Sequence, residues 1–241
     1  MSPKASDTDF LKRELKKPLS ERVTEWFSRN AKKIITIVAV ILISIGAWYG
    51  WLIWEEKTAE KALVEYQMAV IAYQTTVAEK AKEIGPGMTM ESLEKLLKEM
   101  FPVAQKEFEP LIRPKSRYFG QKMAKLTYGA IALKSGAGDR GIELYRQLEN
   151  EFSHAPTLQQ QVLLALGAQH EDRGEIDEAI RYYQKIVDED VFQIKDEALF
   201  SLGRLYKQKG NAAESQQKYQ RLIEDFPNSF YAPLAKSAMV E

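Results

Sequence analysis

The segment EALFSLGRLYKQKGNAAESQQKYQRLIEDFP, residues 197–227, predicts two helices joined by a glycine turn. Gly203 in the first half and Ser215 in the second are small residues that allow the two helices to approach closely. Tyr219 follows Ser215 by four residues, which places both on one face of the second helix. Gly210 lies between the two halves, where the chain must turn. The segment therefore predicts a packed helical hairpin.

The same pattern occurs in two earlier copies. Equivalent residues are 38 apart between the first and second copies and 36 apart between the second and third. A period in the thirties that contains two helical patterns is typical of a helical solenoid. The three sets of matching residues are Gly129, Gly167 and Gly203; Gly136, Gly174 and Gly210; and Tyr145, Tyr183 and Tyr219.

These units resemble the tetratricopeptide repeat, which is marked by Leu-Gly and an aromatic on the first helix and by a closing proline. The third unit matches best, with Leu202-Gly203, Tyr206 and Pro227. The second has His170 at the aromatic position, and the first is degenerate, with Ala132 there. The resemblance implies an all-α solenoid.

We expect residues 117–241 to form three such repeats plus a capping helix from Tyr231 to Val240. In this family the concave face is lined by fixed positions of each first helix, and it includes Leu164 and Phe200 among charges of both signs. That mixture suits a protein segment held by an apolar anchor and a polar rim. The alternative is that the helices of residues 57–101 fill the face. The implied groove residues are Gln161, Leu164, Ala168, Glu171, Asp172, Glu197, Phe200, Arg204, Lys207 and Gln208.

Residues 34–54, IITIVAVILISIGAWYGWLIW, contain no charged side chain. As a helix with a rise of about 1.5 Å per residue they would extend roughly 30 Å, the thickness of a bilayer's hydrocarbon core. The alternatives are a buried core helix and a cleaved signal peptide. A signal peptide would be shorter and would end in small residues, whereas this run ends in Trp51 and Trp54. We therefore expect an uncleaved transmembrane helix.

Charge predicts the orientation of this helix. Residues 1–33 carry nine Lys or Arg and five Asp or Glu, a net charge of +4, and the residues after Trp54 carry a net charge of −4. The positive-inside rule then leaves the N-terminus in the cytoplasm and translocates the rest of the chain. Gly46 and Gly50 form a G-x-x-x-G pattern that would permit a homodimer, although a single match is also expected by chance.

The regions on either side of the span have helical patterns. Residues 1–33 form a basic cytoplasmic tail with a short amphipathic helix after Pro18, lying on the inner leaflet or docked on a cytosolic partner. Residues 55–116 form a helical connector. We expect its first helix to run to Ile84. A second helix should be N-capped by Thr89 and should end near Phe101. From Pro102 onward we expect the chain to be irregular or helical in short pieces.

Composition excludes several classes of function. The net charge is zero, with no basic face for nucleic acid. There is no cysteine, so an exported domain would be held by packing alone. His154 and His170 are the two histidines, and neither has a nucleophile partner, so we expect no catalytic residue, metal site or cofactor. The cluster Glu171, Asp172, Glu175, Asp177 and Glu178 lacks calcium-loop spacing and indicates a solvated turn.

A second resemblance covers more of the chain. The basic tail, the anchor ending in Gly50-Trp51-Leu52-Ile53-Trp54, the motif Tyr66-Gln67-Met68-Ala69-Val70 and the Tyr118–Leu133 helix are similar to the YfgM family of ancillary SecYEG translocon subunits. This resemblance implies a scaffold in the bacterial inner membrane with a periplasmic C-terminal domain. Its partners would be translocon subunits, a periplasmic chaperone or nascent chains.

The C-terminal sequence gives an alternative. YQRLIEDFPNSFYAPLAKSAM, which begins at Tyr219, is also similar to the repeats of envelope-assembly and cell-division scaffolds of the CpoB and BamD kind. Those proteins lack an anchor of this type. The resemblance implies a scaffold with a different fixed partner and the same repeat architecture.

Overall fold

The computed structural model describes residues 18–85 and 89–240. These residues form helices and turns and contain no β-strand, which confirms the all-α prediction. The chain divides into two compact units, Met1–Thr58 and Ala59–Glu241.

The first unit contains the N-terminal part of α1 (Leu19–Ile84). The amphipathic helix expected after Pro18 is not a separate element, because no glycine or proline occurs between Leu19 and Gly46 to interrupt the helix. The predicted span of residues 34–54 is helical throughout. It is long and apolar enough to cross a membrane, and large side chains such as Ile43 and Trp48 are exposed.

The second unit begins with the C-terminal part of α1, which is followed by α2 (Met90–Phe108). Ala69 of α1 and Ala104 and Phe108 of α2 belong to one buried cluster. Thr89 caps α2 as predicted, since its hydroxyl accepts the Ser92 N–H at 3.2 Å and the Ser92 hydroxyl accepts the Thr89 N–H at 2.8 Å.

The end of α2 differs from the prediction. We expected Pro102 to end the helix, but α2 continues through it to Phe108. Proline removes one backbone hydrogen bond, whereas continuing the helix buries Ala104 and Phe108 on the face that already buries Met100. Burial of these side chains outweighs the lost hydrogen bond.

The segment after α2 is held by buried polar contacts. A short 3₁₀ helix, Glu109–Leu111, is followed by an irregular stretch up to Tyr118. The Lys125 side chain is fully buried, and its Nζ lies 3.3 Å from a carboxylate oxygen of Glu151 and 3.4 Å from the Pro114 carbonyl oxygen. A buried ammonium requires such partners, so Lys125 fixes the irregular stretch against the first repeat.

The rest of the unit consists of three helical hairpins and a final helix, as the repeats predict. Consecutive hairpins are stacked, and a continuous apolar core runs from Ile142 to Ala235. The helices are α3 (Phe119–Lys134), α4 (Gly138–Leu148), α5 (Pro156–Asp172), α6 (Ile176–Asp188), α7 (Lys195–Gln208), α8 (Ala212–Asp225) and α9 (Tyr231–Ala238).

Each hairpin is closed by the same contact between a glycine and a tyrosine ring. A Cβ added to Gly129 would lie 2.6 Å from the Tyr145 ring, and one added to Gly167 would lie 2.9 Å from the Tyr183 ring. A Cβ added to Gly203 would lie closer still to the Tyr219 ring. These distances are below van der Waals contact, so the tyrosine packs where a side chain would otherwise stand.

The turns of the three hairpins also share one backbone geometry. Gly136, Gly174 and Gly210 have φ values of 83°, 73° and 77°. This left-handed conformation is strained for residues that carry a Cβ. The predicted turn glycines are therefore confirmed. They recur with the repeat because the turn of each hairpin requires this backbone conformation.

We expect Gly203→Leu to lower the melting temperature of the full-length protein in detergent. The Tyr219 ring is 2% exposed and cannot move into solvent, so overpacking should cost roughly 1–3 kcal/mol. Heating monitored by circular dichroism measures the effect. Ala213→Leu places the same side chain at an exposed position of α8. Coincident melting curves for the two variants would contradict the packing described.

Candidate functional site

A cavity of about 490 Å³ lies between the second and third repeats. Side chains of α5, α6, α7 and α9 line it. Six of the ten predicted groove residues are among them: Ala168, Glu171, Asp172, Glu197, Phe200 and Arg204. Three further lining residues are Tyr183, Ser201 and Tyr231. Six of the ten repeat positions that were expected to form a groove therefore line one depression.

The other four predicted residues do not line the cavity. Gln161 and Gln208 are exposed on α5 and α7. Lys207 donates a hydrogen bond from Nζ to the Ala238 carbonyl oxygen at 3.2 Å, and so contacts the end of α9. Leu164, expected to be an exposed anchor, is partly buried and packs against the core.

Polar contacts join the two repeats inside the cavity. Arg204 of α7 forms an ion pair with Glu171 of α5. The Tyr183 hydroxyl donates a hydrogen bond to the same carboxylate at 3.4 Å. Burial, followed by the proximity of Glu171, raises the pKa of Tyr183 above its ordinary value, so this phenol is a neutral donor at physiological pH. The guanidinium and one carboxylate thus neutralise each other.

Aromatic stacking closes the cavity at its C-terminal end. The Phe200 ring lies 5.3 Å from the Tyr231 ring in a stacked arrangement, and 5.9 Å from the Tyr219 ring. Burial, with Glu197 nearby, raises the pKa of Tyr231. Phe200 is consequently half-buried rather than freely exposed as expected, because α9 supplies a ring for it to pack against.

The helices of residues 57–101 were the alternative occupant of this groove. In the second unit, α1 and α2 pack instead on the first hairpin, through a cluster that contains Tyr128 and Leu144. The Tyr66 hydroxyl also lies 3.2 Å from the Thr127 hydroxyl of α3. Helix α9 covers part of the groove, and the cavity lined by Glu171, Glu197 and Arg204 stays open beside it.

Sequence reasoning did not identify Tyr183, Ser201 or Tyr231 as groove residues. It considered one set of positions on each first helix, whereas Tyr183 belongs to a second helix and also packs against Gly167. A tyrosine at the start of the capping helix, 31 residues after Phe200, was the available signal for Tyr231. This signal identifies Tyr231 as a groove residue only if it is known that α9 stacks on α7.

A larger cavity, of about 620 Å³, lies between the first and second repeats. Its buried member is His170, whose ring is stacked on Tyr182 at 5.3 Å. Arg146 lies 3.3 Å from His170 Nε2, and Glu175 lies 2.5 Å from Nδ1. A guanidinium can only donate, so Nε2 accepts and Nδ1–H donates to the carboxylate. His170 is thus a structural residue, as its repeat position predicted.

The acidic cluster at the second turn separates into individual contacts. Asp177 pairs with Lys209, Glu178 with Arg181, and Glu175 contacts His170. His154 is exposed in the turn before α5. Within residues 18–85 and 89–240, no group of three potential ligands is arranged to hold a metal ion.

Comparison with protein-family models matches residues 161–190 and 197–229 to the tetratricopeptide repeat. The second and third hairpins are tetratricopeptide repeats. The first hairpin, degenerate in sequence, has the same glycine-to-tyrosine packing and the same turn conformation. A comparison with curated proteins found no match to the chain. Tetratricopeptide domains mediate interactions between proteins, and typically are not catalytic.

We expect Tyr231→Ala to loosen α9, since it removes the ring stacked on Phe200, a contact of about 0.5–1.5 kcal/mol beyond burial. Hydrogen–deuterium exchange of the full-length protein should show faster exchange within residues 231–238 and little change in α5. Leu234→Ala is the matched control because this side chain lies on the same helix, is 42% exposed and is not part of the stacked rings. Equal exchange in the two variants would contradict the stacking described.

Proposed function

We propose that this protein is a membrane-anchored scaffold whose repeat groove binds segments of other proteins. The observation that carries the proposal is the convergence of six predicted groove residues on one open cavity between two tetratricopeptide repeats. The same chain has an N-terminal helix long and apolar enough to cross a bilayer. An anchor and a binding groove on one chain favour a scaffold that acts beside a membrane.

The proposed place of action is the secretion translocon, at the periplasmic face of a bacterial inner membrane. The resemblance to the YfgM family supports this location, and the excess of positive charge in residues 1–33 supports a cytoplasmic N-terminus. The groove would then bind translocon subunits, a periplasmic chaperone or emerging chains, and would assist the biogenesis of secreted or envelope proteins.

An envelope-assembly or cell-division scaffold is the second candidate. Its support is the resemblance of residues 219–239 to the CpoB and BamD repeats. The family-model match covers residues 219–229 of that segment. The two candidates share the groove and differ in the membrane complex that it serves.

A homodimer through the span is a further part of the proposal. Gly46 and Gly50 are separated by one helical turn, and a Cβ added at either would meet no atom within 4 Å. That open helix face is compatible with close approach of a second copy.

Photo-crosslinking of the full-length protein in cells tests the scaffold proposal. A photoreactive residue replaces Gln161 or Gln208 beside the groove, and Gln216 on α8 serves as the matched control position because it too is an exposed glutamine. We expect purification in mild detergent and mass spectrometry to recover translocon subunits and a periplasmic folding factor from the groove positions.

Three outcomes separate the candidates. Recovery of barrel-assembly, division or cell-wall proteins from Gln161 and Gln208 would select the second candidate. Identical products from all three positions would contradict a role for the groove. Recovery of translocon subunits from the groove positions alone would support the first candidate.

The proposed topology gives a separate prediction. The chain has no cysteine, so single-cysteine variants can be made directly. We expect a membrane-impermeant maleimide, added to spheroplasts, to modify Ser153→Cys and to leave Ser20→Cys unmodified until the cells are lysed. Both positions are exposed, which makes them matched. The reverse pattern would contradict a cytoplasmic N-terminus.

A further inference from the structure

The C-terminal end of the groove has a row of aromatic rings that runs from the core into solvent. Tyr219 is buried, and Phe200 lies 5.9 Å from it. Tyr231 stacks on Phe200, and the Phe230 ring lies edge-on to Tyr231 at 5.5 Å. Phe230 itself is 77% exposed. The row therefore ends in an aromatic side chain with most of its surface free.

The final helix extends this apolar surface. Leu234 follows Phe230 by four residues and lies on the same side of α9, and it is 42% exposed. Together the two apolar side chains form an exposed patch of the kind that marks an interaction surface.

The charged residues beside the row are mainly acidic. The cavity is lined by Glu171, Asp172, Glu197 and Arg204, and Arg204 is paired with Glu171. Within the part of the chain that the structure describes, neither Asp172 nor Glu197 forms an ion pair. Two carboxylates thus face the cavity without a neutralising cation, and Tyr231 of the aromatic row lines the same cavity.

Lys207 does not neutralise the charge of Asp172 and Glu197. Lys207 lies on the same helix as Arg204, but its Nζ donates to the Ala238 carbonyl oxygen at the C-terminal end of α9. A cation at that end interacts favourably with the helix dipole and is held there. A ligand in the cavity therefore meets an acidic wall and an apolar end.

We infer that this end of the groove binds an extended peptide segment in which a large apolar side chain is next to lysine or arginine. The apolar side chain packs against Phe230, Leu234 and the Tyr231 ring, and the cation lies against Asp172 and Glu197. The cation can also lie over the face of Phe230 or Tyr231, where a ring attracts positive charge. The inference deepens the proposed function and depends on it, since it specifies the class of segment that the scaffold accepts.

An acidic segment is disfavoured by the same geometry. Its carboxylates would be placed against Asp172 and Glu197, and like charges in close contact oppose binding. Displacing Arg204 to pair with the ligand would leave Glu171 without its cation. Charge at the groove thus gives selectivity, while the aromatic end supplies apolar contact area.

The test uses full-length protein in lipid nanodiscs and three labelled peptides of equal length. The first contains a Trp-Leu pair between lysines, the second replaces each lysine by glutamate, and the third retains the lysines and replaces Trp-Leu by serines. Fluorescence anisotropy measures the affinity of each. We expect the first peptide to bind at least about tenfold more tightly than either of the others, and high salt to weaken it.

Two variants assign the binding to these residues. Asp172→Asn with Glu197→Gln removes two charges at nearly constant shape, and Phe230→Ser with Leu234→Ser removes two exposed apolar groups. Each should weaken the first peptide by roughly tenfold or more. Glu189→Gln with Glu224→Gln, which neutralises two exposed carboxylates that do not line the cavity, is the control and should have no effect. Circular dichroism verifies that each variant is folded.

Several results would overturn the inference. The first is tighter binding of the glutamate peptide than of the lysine peptide. Equal binding of all three peptides, or no binding of the first, would also contradict it. So would an equal loss of affinity for the first peptide in the control variant and in the variant with Asp172→Asn and Glu197→Gln. Another is a dimer in sedimentation experiments that dissociates on Phe230→Ser, because a second copy would then cover the end. None of these results bears on crosslinking at Gln161 and Gln208, so the proposed function is judged separately.

Discussion

The contact between a first-helix glycine and a second-helix tyrosine is the constraint on which the repeat domain depends. In all three hairpins the ring occupies the space that a Cβ would need, so the two helices approach more closely than ordinary side chains allow. Burial raises the pKa of Tyr145 to about 12, and also raises the pKa of Tyr183 and Tyr219. The three rings are buried in the apolar core, and each hairpin stacks on the next.

The groove is a consequence of that stacking. Because the second helices pack behind the first helices, outward-facing side chains of α5 and α7 share one concave side, and Glu171 can reach Arg204 across the repeat boundary. The final helix then sets the character of the groove. Its Tyr231 stacks on Phe200 and makes the C-terminal end aromatic, while Asp172 and Glu197 keep the neighbouring wall acidic.

Local signals made much of this predictable from sequence. Glycine and tyrosine spacing predicted the hairpins and their turns, and Thr89 predicted the start of α2, because each depends on residues close in the chain. The groove positions came from the tetratricopeptide resemblance, and six of the ten line the cavity. The continuation of α2 beyond Pro102 was missed, since it rests on burial of Phe108 against other elements. The stacking of Tyr231 and the contact of Arg146 with His170 also join distant segments, and neither leaves a periodic trace.

The central claim is that the concave face between α5, α7 and α9 binds a protein segment in the cell. Hydrogen–deuterium exchange of the protein in native membranes, compared with the purified protein in nanodiscs, tests this claim most directly. The account predicts slower exchange in α7 and α9 when the native membrane partners are present, with α8 unchanged. Equal exchange in the two preparations, or protection confined to α4 and α8, would contradict it.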